Sequence, residues 1–210
     1  MSSPFYLMGQ RRFLPFFLTQ FLGAFNDNLY KNALIVLLTF NAAHYTSLAT
    51  GPLISLCAGI FILPFFLFSA TCGQFADKYE KSRLIRWTKL LEVIIMMTVC
   101  LGFWLDSLAI LLTALFLLGC QSTIFGPVKY AILPQSLKPD ELIAGNALVE
   151  SGTFIAILMG TLAGGLLAAI SDDPVTRWLP AISQGALWVS LVGLSVAILG
   201  YLTSFKIPET

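Results

Sequence analysis

Leu53 to Ala76 reads LISLCAGIFILPFFLFSATCGQFA, without one charged side chain. At 1.5 Å of rise per residue, a helix of that length is longer than the hydrocarbon core of a bilayer, about 30 Å thick. Inside that core every backbone N–H and C=O must be paired within the protein, so the run predicts a membrane-crossing helix. Five more apolar runs surround it: Phe13 to Phe40, Leu84 to Leu105, Leu108 to Ala131, Leu142 to Ile170 and Leu179 to Leu202. The connections are Asn41 to Pro52, Asp77 to Arg83, a tight turn at Asp106 and Ser107, Ile132 to Glu141, and Ser171 to Trp178. None is long enough for a soluble domain. The predicted fold is all-α, an integral-membrane bundle of six transmembrane helices forming a single domain over residues 1–210.

Composition points the same way. Of the 210 residues 57% are hydrophobic and 11% charged, against about 25% charged in an ordinary soluble domain. Mean hydropathy is +0.84. The net charge is +1 and the cations are scattered over several loops, so no nucleic-acid-binding face is expected. Cys57, Cys72, Cys100 and Cys120 lie far apart in apolar runs with no CxxC spacing, and read as small core residues. Arg11 and Arg12 precede a stretch too long for a signal h-region and without a small-residue cleavage site, so it reads as an uncleaved first crossing. The lone His44 falls in a connection, and there is no Gly-rich phosphate loop or nucleophile elbow. No cofactor or metal is expected, and an enzyme is the weaker class.

Orientation follows from the cations, which stay in the cytoplasm when they lie near crossing ends. Arg11, Arg12, Lys78, Lys81, Arg83, Arg86, Lys89, Lys129, Lys138 and Lys206 gather on one side, Arg177 alone on the other, and Lys31 lies within the first run. Both termini are therefore expected in the cytoplasm, with His44, Asp106 and Arg177 outside.

Charges inside the runs single out candidate residues. Asp27 falls near the middle of the first run, where an ionised side chain costs about 2.5–3.5 kcal/mol and must face protein or water. Lys31 follows four residues later on the same helix face, and Gln20, Gly23 and Ala24 share it. The stripe reads either as a structural ion pair or as the lining of a solute path, with Asn28 beside it. Glu92 has Lys89 three residues before it and reads as a pair at the membrane edge. Lys129, just after Gly126 and Pro127, and Glu150 remain open between structure and function. In the fifth run Gly152, Ala156, Gly160, Gly164 and Ala168 recur every fourth residue, a spacing that makes a smooth strip for close helix packing.

The connection Gly73 to Arg83, GQFADKYEKSR, resembles the signature between the second and third helices of the major facilitator superfamily, in which a Gly, an Ala-Asp pair and several cations recur. The family usually has a second Gly where this chain has Glu80. The resemblance implies conformational gating here: Gly73 letting helices approach, Asp77 capping or pairing near a helix N-terminus, and Lys78, Lys81 and Arg83 bridging to acids. Gln20 to Asn28 (QFLGAFNDN), Phe125 to Pro134 (FGPVKYAILP) and Glu141 to Gly165 (ELIAGNALVESGTFIAILMGTLAGG) are similar to the lysophospholipid transporter branch of that superfamily. Gly23 and Asn26 stand at positions that vary there, and Lys31 is outside the motif.

The resemblance implies a secondary transporter flipping lysophospholipid across a bacterial inner membrane, with the lipid bilayer as its setting. It also implies a C-terminal six-helix half not present in this chain and, in some members, an acyltransferase partner. On this reading Gln20, Asp27, Asn28, Lys31, Lys129 and Glu150 line the substrate path. The alternatives are a transporter of a small polar solute or drug, with Asp27 carrying a proton, and a membrane scaffold for a fused acyltransferase.

Overall fold

The computed structural model describes residues 4–170 and 182–209. Six long helices make the bundle: α1 (Leu14–Tyr45), α2 (Thr50–Lys78), α3 (Lys81–Trp104), α4 (Leu108–Ala131), α6 (Leu142–Ala168) and α7 (Gln184–Ser204); a single turn, α5 (Leu133–Ser136), lies between α4 and α6. The helices follow the apolar runs, and their ends differ for local reasons. α1 continues to Tyr45, but Asn41 leaves helical geometry at φ −126°, ψ 25°, so its regular part stops where the apolar run does. α2 starts early, at Thr50, since Pro52 in a first helical turn gives up no hydrogen bond. α3 begins at Lys81, inside the stretch read as a connection, because the Glu80 carboxylate accepts from the backbone N–H of Ser82 at 2.8 Å and of Arg83 at 2.6 Å and so caps the helix. The connection Ser171 to Trp178, with Arg177, and the start of the sixth run lie outside the described residues. α7 opens at Gln184, behind an N-cap at Ser183.

α1 is the spine of the bundle, packed along α6 and against α7; α2 lies on α4, and α3 on both α4 and α7. α2 and α3, although joined by a short turn, diverge and make almost no contact. One end is closed by a cluster containing Leu7, Phe13, Ala76, Ile85, Ile132, Leu137 and Ile207. Both ends of the described chain therefore sit at the same end as the α2–α3 and α4–α6 connections. Arg12 clasps that end with a two-pronged contact to Glu141 at 2.7 Å and a hydrogen bond to the Ser136 carbonyl at 3.1 Å. At the opposite end His44 and Asp106 join the two turns there.

The bundle wears its large apolar side chains outward: Phe66 is 87% and Ile143 85% exposed. By length and composition α2, α4, α6 with its preceding turn, and α7 can each cross a membrane. α1 has 32 residues and α3 24, and both carry buried polar side chains: Gln20, Asn26 and Asn28 on α1, Lys89 and Glu92 on α3.

Candidate substrate site

Halfway along α3, Lys89 and Glu92 form an ion pair at 2.6 Å with side chains 1% and 0% exposed. The pair the sequence suggested is present, and it is buried inside the bundle, with the lowest exposure of any charged side chains among the described residues. Counting α3 from Leu84 instead of Lys81 puts Glu92 too close to its start. Glu92 also accepts from Asn26 of α1 at 2.9 Å and from Gln121 of α4 at 3.3 Å, which offsets the desolvation a buried carboxylate suffers. Room for the ammonium comes from α1: a Cβ at Gly23 would stand 2.2 Å from Lys89 Nζ. The Phe125 ring lies 5.2 Å from the same atom.

Beside this pair opens a polar cavity of about 220 Å³ between α1, α4 and α6, bounded by Gln20, Asp27, Lys89, Ser122, Lys129 and Thr153. Asp27 uses one carboxylate oxygen to accept from the Ser122 hydroxyl. Its other oxygen, Oδ1, is buried with no donor, and Gln20 Nε2 is a buried donor with no acceptor. Across the cavity Lys129 donates to Thr153 Oγ1 at 3.1 Å and stands 3.3 Å from Glu150. Thr153 in turn donates to Gln20 Oε1 at 3.0 Å, and Tyr130 donates to Glu150. The cavity thus brings together a carboxylate with one unmatched oxygen on α1, an amide with an unmatched N–H about two turns away on the same helix, and an ammonium held between α4 and α6.

Of the stripe read from the sequence, Gln20, Gly23, Ala24 and Asp27 line this cavity, and Lys129 joins them; Glu150 is outside the lining and touches it only through Lys129 and Tyr130. Lys31 does not. It donates to Asn28 Oδ1 at 2.9 Å and lies 5.0 Å from the Phe61 ring of α2, so Asp27 and Lys31 form no ion pair despite their spacing. Asn28 is turned to α6, its Cβ beside Gly160. Missed by the sequence reading were Asn26, Gln121, Ser122 and Thr153. The adjacent Gln121 and Ser122, a polar pair in the middle of the largely apolar fourth run, were the available signal.

Residues 16–209 match the sequence profile of the Major Facilitator Superfamily. The chain belongs to that superfamily. Among individual proteins it is similar to the lysophospholipid transporter LplT of Enterobacter sp. (strain 638), with 34% identity over 149 residues. It is likewise similar to the LplT proteins of Escherichia fergusonii and Citrobacter koseri, with 32% identity over 149 residues each. In each case the match covers 71% of this chain and 34% of the relative, so the chain spans about one third of the length of the curated relatives it matches.

The superfamily signature between α2 and α3 is built differently from what its residues suggested. Glu80, at φ −64° and ψ 128°, needs no glycine geometry and supplies the helix cap that was expected of Asp77. Asp77, Lys78 and Arg83 are exposed and Lys81 half-buried. No atom approaches a Cβ built at Gly73 within 4 Å, so Gly73 brings no helix close among the described residues. The small-residue strip of α6 does meet a neighbour. Cβ atoms at Gly160 and Gly164 would stand 2.3 Å and 2.2 Å from the Phe25 and Leu29 carbonyl oxygens of α1, and Gly152 abuts Phe17 and Gln20. Ala156 is fully buried in the same seam.

Proposed function

We propose that this chain is the N-terminal half of a secondary transporter that flips lysophospholipid, with the substrate headgroup entering the cavity beside Asp27. One observation carries the reading: Asp27, Gln20 and Lys129 line one cavity, and Asp27 Oδ1 and Gln20 Nε2 are buried there without a protein partner. A zwitterionic headgroup answers that arrangement, its amine toward Asp27 and its phosphate toward Lys129 and Gln20. The relatives' name, lysophospholipid transporter, supports the same substrate class. α1 and α3 cross the membrane as well, with Asp27, Lys89 and Glu92 turned into the bundle instead of to lipid, which makes six crossings with both termini cytoplasmic in a bacterial inner membrane. Lys89 and Lys129 are interior residues, so eight boundary cations lie on the inner side against Arg177 outside, still a one-sided distribution. The second half of the superfamily architecture supplies the opposing wall of the path, and an acyltransferase that re-acylates the imported lipid is the downstream partner.

The test is flipping of a labelled lysophospholipid by the full-length protein. Asp27→Asn removes a charge-assisted bond, worth about 1.5–3 kcal/mol, so transport should fall roughly ten- to hundredfold at unchanged membrane abundance. Because Lys31 pairs with Asn28, adding Lys31→Gln should restore nothing. Recovery in the double variant would make Asp27 a structural counter-ion. Unimpaired transport of a zwitterionic lipid with loss of a small cationic solute would favour the polar-solute alternative.

A further inference from the structure

Where α2 and α3 diverge, an apolar groove of about 600 Å³ is left between α2, α3 and α4. Phe68 and Phe75 on α2, Trp87, Leu91 and Ile94 on α3, and Ile124 on α4 are among its walls. It lies on the side of α3 away from the polar cavity. Toward the α2–α3 turn it runs into a second recess bounded by Tyr79, Glu80 and Arg83 and sharing Phe75, Leu84 and Trp87 with the first. The two form one channel, apolar along its length and charged at its mouth.

Two features of that channel define its occupant. The first is length. From Arg83 to Ile94 on α3, and from Tyr79 back to Phe68 on α2, the walls run eleven residue steps, about 16 Å at 1.5 Å per residue. That equals one leaflet of a hydrocarbon core about 30 Å thick. The second is charge. Arg83 lines the mouth and is exposed, and Lys78 stands there too, its ammonium 5.8 Å from the Tyr79 ring. The acid at the mouth, Glu80, directs both carboxylate oxygens to the backbone of α3. Tyr79 and Trp87, 45% and 64% exposed, supply the amphipathic rings that favour a membrane–water boundary.

We infer that this channel is a binding site for an anionic bilayer phospholipid of the cytoplasmic leaflet, one acyl chain lying between α2 and α3 and its phosphate held at Arg83. The lipid takes the place of the missing α2–α3 contact and is distinct from the headgroup cavity on the other side of α3. The inference rests on the proposed crossing of α3.

Quenching of Trp87 by brominated acyl chains tests it in the full-length protein. The protein is reconstituted in phosphatidylcholine vesicles carrying a small fraction of brominated phosphatidylglycerol or brominated phosphatidylcholine. The Trp87 signal is taken as the difference from Trp87→Phe. Brominated phosphatidylglycerol should quench about fivefold more effectively per mole, the factor for about 1 kcal/mol from one cation near the surface. Arg83→Gln should abolish that preference, and Thr71→Phe, which fills the groove from an exposed position, should reduce quenching by both lipids. Trp104, 53% exposed at the far end of α3, serves as the reference through Trp104→Phe. Equal quenching of Trp87 by the two lipids overturns the site and leaves the crossing intact. A quenched Trp104 with a silent Trp87 overturns it in favour of a protein segment covering the groove. Silence of both overturns the site together with the crossing of α3.

Discussion

Breaking the Lys89–Glu92 pair should cost more than repairing it with neutral residues on both sides. Glu92 is fully buried and accepts from Lys89, Asn26 and Gln121, whereas the close partners of the Lys89 ammonium are Glu92 and the Phe125 ring. Lys89→Met leaves Glu92 two neutral donors for a full charge, and Glu92→Gln leaves the ammonium without an anion. Removing one member of a buried pair typically costs about 3–5 kcal/mol. Lys89→Met belongs at the lower end because two donors remain, Glu92→Gln at the upper end. In the double variant the Met thioether lies in the niche left by Gly23 and Gln still accepts from Asn26. No ion is then buried, and stability should return to within about 1–2 kcal/mol of the parent. The assay is thermal unfolding of the purified full-length protein in detergent for all four members of the cycle, with membrane abundance alongside. If the double variant loses as much as the two single variants combined, the charges are not coupled and the geometry described for α3 is wrong.

Further outcomes follow from individual contacts. Gly164→Leu should lower membrane abundance sharply, since its Cβ would meet the Leu29 carbonyl at 2.2 Å and overpacking costs at least about 1–3 kcal/mol; Gly165→Leu, in open space, should be tolerated, and equal effects would refute the seam. Glu80→Ala should cost about 1 kcal/mol in a melting experiment through loss of the α3 cap, and Glu80→Gly only a few tenths. Single cysteines in a cysteine-free background should react with an impermeant thiol reagent in intact cells at His44→Cys and Asp106→Cys, and stay unlabelled at Lys81→Cys and Lys138→Cys; labelling at position 81 would invert the orientation.

The helices were legible because a bilayer leaves few alternatives: an uncharged run such as Leu53 to Ala76 has one way to satisfy its backbone. Their ends were less so, because caps decide them, and Glu80 was read as a departure from a motif when its carboxylate starts α3. In the candidate site, Asp27 and Gln20 stood out by depth and helical period. Lys31 went astray because a four-residue spacing puts two side chains on one face without making them touch, and Asn28 and the Phe61 ring were better placed. Lys89 and Glu92 were discounted because depth was judged from the first apolar residue. Their burial depends on Gly23, Asn26 and Gln121 from other helices, which no local pattern in α3 carries.

The glycine seams also fix where the bundle can yield. Gly160 and Gly164 set α6 against the backbone of α1, and Gly119 does the same for α4 and α2, since its Cβ would stand 2.4 Å from the Phe61 carbonyl oxygen. At Gly160, Gly164 and Gly119 backbone meets backbone, so little compliant side chain is left at those points to absorb strain and each couple should move as one stiff beam. α1 touches α2 and α4 far more lightly. Between the two couples lies the cavity that holds Asp27 on one wall and Ser122 and Lys129 on the other, and apart from these light contacts the couples are joined through α3 and α7. If the proposed transport cycle swings one couple against the other, the cavity should widen or narrow while both seams stay shut, so the joint and the proposed headgroup site would coincide.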